Sequence, residues 1–144
     1  MKKPIHPMIV HFPIDGCMVT FGGDIYQYFG NNRYADIIEL VVISSCVLAV
    51  ISMAAGLVDY LRQKPEEAIA RHIENHMYWA LALFMVFTMR ALLPLMLSHN
   101  LLLWSLMCSF LGFVVLIYTA WLGGHLVYSH GVGQAEAFHT KKNI

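Results

Sequence analysis

The sequence has little charge. Asp, Glu, Lys and Arg make up 12% of its 144 residues, and nine basic residues balance nine acidic ones. Soluble domains carry about a quarter charged residues. There is no basic patch with interleaved aromatics, so nucleic acid is not an expected partner. Cysteine is scarce: Cys17, Cys46 and Cys108 each lie in an apolar run, their number is odd, and no two form a CxxC. This pattern argues against a disulfide framework or a cysteine metal site and for buried apolar thiols. There is no CxxCH, so any haem would be non-covalent. Internal repeats and low-complexity segments are absent. A smooth signal-peptide core is also missing, because His6, Pro7, His11, Pro13 and Asp15 interrupt the apolar start and no clear small-residue cleavage site follows. The N-terminus is therefore expected to stay in the mature protein.

What the sequence has in excess is apolar surface, with 58% hydrophobic residues. That is a membrane composition. A spanning helix needs about 20 mostly apolar residues. Four segments qualify: Ile5 to Phe29, Ile37 to Leu61, Asn75 to Leu97 and Leu101 to Tyr128. The first is the least clean, with Asp15 and Asp24 inside it. "GNNR", the charged "RQKPEEAIARH" and the tight "SHN" connect them. The expected fold is an all-α integral membrane protein, a single-domain antiparallel four-transmembrane-helix bundle over 1–144 in a lipid bilayer. Small-residue pairs, Ser52 with Gly56 and Ala120 with Gly124, suit close helix packing within one chain or in a homodimer.

An even number of spans puts both termini on one side, with the loop between the second and third spans. That side carries Lys2, Lys3, Arg62, Lys64, Arg71, Lys141 and Lys142. The other side has Arg33, and Arg90 is expected to snorkel outward there. The positive-inside rule makes the basic side, with both termini, cytoplasmic.

This topology sorts the histidines. His6 and His11 begin the first span, His72 and His76 begin the third, His125 and His130 end the fourth, and His139 follows; only His99 lies opposite. A shared site at the cytoplasmic end is the economical explanation, although single interfacial histidines are tolerated in membranes. His72 and His76 are four apart and share a helical face, as do His11 and Asp15. Asp15 and Asp59 are candidates to orient ligand imidazoles through hydrogen bonds.

Two chemistries are open. A His pair on one helix can chelate zinc, copper or non-haem iron. One or two b-type haems would instead take one histidine from each of two helices, because the porphyrin lies between its axial ligands. For a metal, His11, His76, His125 and His130 are the leading ligands; for a cofactor site, His6 and His72 join them. Gly123 and Gly124 before His125, and Gly131 after His130, would let a macrocycle or a neighbouring helix approach. Phe12, Tyr60, Tyr78, Trp79, Trp121 and Tyr128 would wall a pocket or form an interfacial belt equally well. Arg71, with Arg62 and Lys64, would suit haem propionates.

"IHPMIVHFPI" near the start and "WLGGHLVYSHGVG" near the end resemble the bacterial membrane family called domain-of-unknown-function 2231. The resemblance covers nearly the whole chain. It implies a bacterial inner-membrane location and the four-helix architecture. It also implies motif histidines at His6, His11, His130 and one of His72 or His76. Asp15 departs from the family pattern, where an apolar residue is usual. The resemblance implies no reaction.

Three functional readings follow, in order. The first is a cytochrome b-like protein passing electrons to a quinone or another redox partner, or binding a small gas. The second is a non-haem metal transporter or sensor, for which Asp15, Thr20, Asp24, Glu39 and Arg90 form only a thin polar path. The third is a structural or pH-sensing subunit. No residue is assigned a catalytic role, and enzyme activity is left open.

Overall fold

The computed structural model describes residues 6–30, 32–63 and 65–132. Lys2, Lys3, Lys64, His139, Lys141 and Lys142 lie outside the described residues. The chain is all-helical: α1 (His6–Ile9), α2 (His11–Phe29), α3 (Ala35–Gln63), α4 (Glu67–Met96) and α5 (Leu101–His130), with a 3-10 turn at Asn32–Tyr34. α2 packs on α3 and α5, α3 packs on α4, and α4 packs most extensively on α5. The four long helices thus close a ring, and α1 lies across α3. One end of the bundle carries the start of α1 and the end of α5; we call it the histidine end.

Three helices are long and apolar enough to span a membrane: α4, α5, and α3 together with the turn before it. α2 is not among them. The first expected span is a broken one, with an interruption at Val10 between α1 and α2. Pro13 supplies the reason: it has no N–H for the Ile9 carbonyl, so the helical ladder loses a rung there. The connection before α4 also differs from expectation. "RQKPEEAIARH" is not one charged loop, because α4 starts at Glu67. Glu67 in the first turn suits the positive end of the helix dipole. It also accepts a 2.9 Å bond from Arg71 one turn on.

The interior reverses the usual distribution. Thr20, Ser45, Ser52, Ser105, Ser109 and Thr119 are buried, while large residues such as Leu40, Met85, Leu95 and Trp121 face outward. Lipid is as apolar as leucine, so small residues gain by letting helices approach while large ones lose little outside. Four of these hydroxyls, on Thr20, Ser45, Ser109 and Thr119, donate to carbonyls of their own helices, Thr20 Oγ1 to Gly16 O at 2.8 Å and Thr119 Oγ1 to Val115 O at 2.8 Å. Each such bond satisfies a hydroxyl that would otherwise be stranded in an apolar interior. α2 and α3 are tightly packed at Gly16, where an added Cβ would run into the Ser45 side chain. Gly16→Val is expected to force these helices apart at a cost of about 1–3 kcal/mol. Detergent-based unfolding of the variant would check this, and an unchanged midpoint would refute it.

Candidate functional site

Of the described histidines, His6, His11, His72, His76, His125 and His130 divide into a cluster, a pair and an outlier. The cluster joins α4 to α5. His72 and His130 have ring centroids 4.9 Å apart, His125 and His130 5.1 Å, and His72 and His125 6.0 Å. His130 Nδ1 is buried with no hydrogen-bond partner. The end of α5 fixes His130. Gly131 takes a left-handed φ of 67°. Its N–H bonds Val127 O at 3.1 Å, and the Val132 N–H bonds Leu126 O at 3.1 Å. This Schellman closure needs a residue that tolerates positive φ. Gly131→Ala is therefore expected to cost about 1–2 kcal/mol and to fray the turn carrying His130, which hydrogen exchange at the α5 terminus would detect.

The pair, His6 and His76, lines one cavity inside the bundle. His6 is docked onto α3 rather than standing off as an interfacial arm. Its backbone N–H donates to Asp59 Oδ2 at 3.1 Å, and its Nδ1 donates to Ser52 O at 2.8 Å, with Ser52 Oγ at 3.1 Å. In the neutral ring this leaves Nε2 as the acceptor. Gly56 completes the notch, since a Cβ there would sit 3.2 Å from His6 Nδ1. The small pair Ser52 and Gly56 thus admits an imidazole rather than a whole helix. His76 lies against Gly123 on α5, where a Cβ would meet its ring at 3.2 Å. What approaches at Gly123 is therefore a neighbouring helix and its histidine. Gly124 has only its own helix neighbour Tyr128 beside it, at 4.0 Å. His76 Nδ1 is buried and unpartnered.

The outlier is His11, which is exposed, as is Asp15 one turn on. Neither reaches the cluster or the cavity. Asp59 holds the backbone of His6, and Arg71 is exposed and paired with Glu67. Phe12, Tyr78, Trp121 and Tyr128 all face outward, which is the arrangement of a belt rather than of a pocket wall.

At the opposite end the structure corrects one expectation. Arg90 does not snorkel outward; it is 3% exposed. Its Nε and Nη2 clasp both oxygens of Asp24 at 2.8 and 2.6 Å, and its Nη1 donates to Glu39 Oε2 at 2.8 Å. Asp24 is 2% exposed. Of the residues that read as a thin polar path, Asp24, Glu39 and Arg90 are therefore an ion cluster tying α2, α3 and α4 together, while Asp15 is exposed and Thr20 bonds within its own helix. The signal was in the sequence, as charges of both signs inside apolar segments. Their mutual distances were not.

The chain can now be placed among known families. Residues 2–136 match the model of a family described as predicted membrane protein (DUF2231). The chain belongs to that family. Comparisons with curated proteins and with solved structures gave no match.

The residues of this DUF2231 protein can be tested against the two metal chemistries. Three imidazole nitrogens about 2.0–2.1 Å from a tetrahedral ion place their ring centroids roughly 5 Å apart. The cluster spacings of 4.9, 5.1 and 6.0 Å fit that triangle. In the present rotamers no set of three His, Cys, Asp or Glu among the described residues converges on one point. The ring planes are inclined by 35–57°, so convergence takes side-chain rotation. Haem is a poorer match. The cavity beside His6 and His76 holds about 100 Å³, whereas drug-sized ligands occupy roughly 300–1,000 Å³. In the cluster, His72 and His125 stand 6.0 Å apart, but His130 lies 4.9 and 5.1 Å from them and fills the space a macrocycle between them would need. Haem does not fit the described residues as they stand.

Proposed function

We propose that this protein binds one transition-metal ion (zinc, copper or non-haem iron) through His72, His125 and His130, at the cytoplasmic end of a bacterial inner-membrane bundle. The triangle of ring centroids carries this reading. The buried, unpartnered Nδ1 of His130 supports it, because a desolvated ring nitrogen is stabilised by a partner. The lysines and arginines flanking the histidine end support the cytoplasmic orientation. A bound ion would supply Lewis acidity, and three neutral imidazoles leave it an open position for water or another ligand. The ion cluster at the opposite end ties helices together rather than lining a route across the bilayer, which favours binding or sensing over transport.

The test is the metal content and visible spectrum of protein purified in mild detergent from metal- and haem-replete cells. One equivalent of metal per chain, lost on His125→Ala, is the expected result. A Soret band with sharp reduced α and β bands would replace this reading with haem. A colourless protein that takes up no added cobalt(II) or zinc would overturn both.

A further inference from the structure

The cavity inside the bundle is distinct from the histidine cluster, and its chemistry differs. His76 and His72 are one turn apart on α4, so the cavity begins about 6 Å deeper than the cluster. Its mouth is polar, with His6, Ser52, His76 and Thr119. Its body is apolar, with Ile14, Leu83, Phe84, Phe87 and Leu116. The cavity of about 100 Å³ has no Asp, Glu, Lys or Arg in its wall.

Each feature narrows the ligand. A cation held by neutral imidazoles alone would stay uncompensated in an apolar chamber, which is costly. The occupant is therefore neutral. An apolar cavity of roughly 150 Å³ admits one benzene ring; the space here, about 100 Å³ with a half-buried wall, takes nothing larger than a single ring. The polar mouth then sets its functional group. His6 Nδ1 already donates to Ser52 O at 2.8 Å, which leaves Nε2 as an acceptor in the neutral ring. His76 Nδ1 is buried without a partner, and the Thr119 carbonyl lies beside its ring. A ring that gives its proton to that carbonyl through Nε2 presents Nδ1 as an acceptor. Both of these nitrogens are acceptors, and an O–H on the occupant supplies a donor to them. Ala49, Met53, Ala80 and Phe84 in the wall are only half-buried, so the chamber reaches the lipid-facing surface, from which a neutral ring would enter.

We infer that this cavity binds a neutral single-ring aromatic alcohol, its ring against Phe84, Phe87 and Leu116 and its hydroxyl donating to His76 Nδ1. Phenol is the probe and toluene its control, since the two differ in the hydroxyl at nearly the same shape. Equilibrium dialysis of the full-length protein in detergent, against detergent alone, corrects for partition into micelles. The expected result is saturable binding of both, with phenol tighter by at least about threefold, the contribution of one hydrogen bond. In His76→Leu the preference for phenol disappears while toluene still binds. Ala80→Phe fills the chamber and abolishes both. No saturable binding to the wild type, or equal affinity for phenol and toluene, would overturn the inference. So would a phenol preference that survives His76→Leu. Neither His76→Leu nor Ala80→Phe touches His72, His125 or His130, so this test and the metal test fail or succeed separately.

Discussion

Arg90→Ala is expected to destabilise the bundle by about 3–5 kcal/mol, the cost of removing one partner from a buried ion cluster. Two carboxylates would then face an interior with no cation. Asp24 suffers most, because it is 2% exposed and both of its oxygens accept from Arg90. Glu39 keeps some access to the outside, with its side chain 26% exposed. Arg90 stands six residues before the end of α4 at Met96. That is about 9 Å along the helix axis, so water at the helix end does not rescue the charges. The measurement is unfolding in mixed micelles, with Leu95→Ala as the outward-facing reference, since Leu95 is 83% exposed. Equal midpoints for Arg90→Ala and Leu95→Ala would refute the prediction. The triple replacement Asp24→Leu, Glu39→Leu and Arg90→Met separates two explanations. If the ions serve stability alone, the triple variant should lie close to wild type, because apolar substitutes of similar volume often replace buried ion pairs without loss.

Metal affinity should fall by more than about 100-fold in each of His72→Ala, His125→Ala and His130→Ala, since even removal of an orienting partner costs about 10–100-fold. His11→Ala and His99→Ala should leave stoichiometry and affinity unchanged. His11 is exposed and apart from the cluster, and His99 is exposed in the connection between α4 and α5. His76→Ala is the discriminating case. It lies one turn from His72 on α4 but packs against Gly123 and lines the cavity. Its loss should change affinity for the ion by less than tenfold. A collapse of metal binding in His76→Ala, with His130→Ala unaffected, would move the site from the cluster to the cavity mouth. Cobalt(II) titration followed by its visible bands reads all six variants on one scale.

Much of this was legible in the chain itself. Apolar runs gave the long helices, and the "SHN" turn marks the end of α4 and the start of α5 closely. The expected fourth span stops at Tyr128, two residues short of His130, and Gly131 reads as room for a macrocycle or a helix, whereas its positive φ closes the helix. The broken start of the first span, drawn as one segment from Ile5 to Phe29, follows from Pro13, which has no N–H for the Ile9 carbonyl. The beginning of α4 was misplaced because Glu67 and Arg71 look like loop residues by polarity, although four-residue spacing lets them pair along a helix. Six histidines of similar sequence context pointed to one shared site. Their separation depends on rotation about each helix axis, which hydropathy does not encode when most helix faces are apolar.

Composition and the order of apolar runs therefore determined that this protein is a membrane bundle with histidines gathered at one end. A bilayer admits few structures that satisfy every backbone group, so length and hydropathy suffice for that level. Which residues meet inside the bundle was decided only by the tertiary structure. Arg90 finds Asp24 and Glu39, His6 finds Ser52, and His72 finds His125 and His130, each across a helix–helix contact. Such contacts are set by where small residues such as Gly16, Gly56 and Gly123 let backbones and rings come close, and that fit is a property of pairs of surfaces rather than of any one segment.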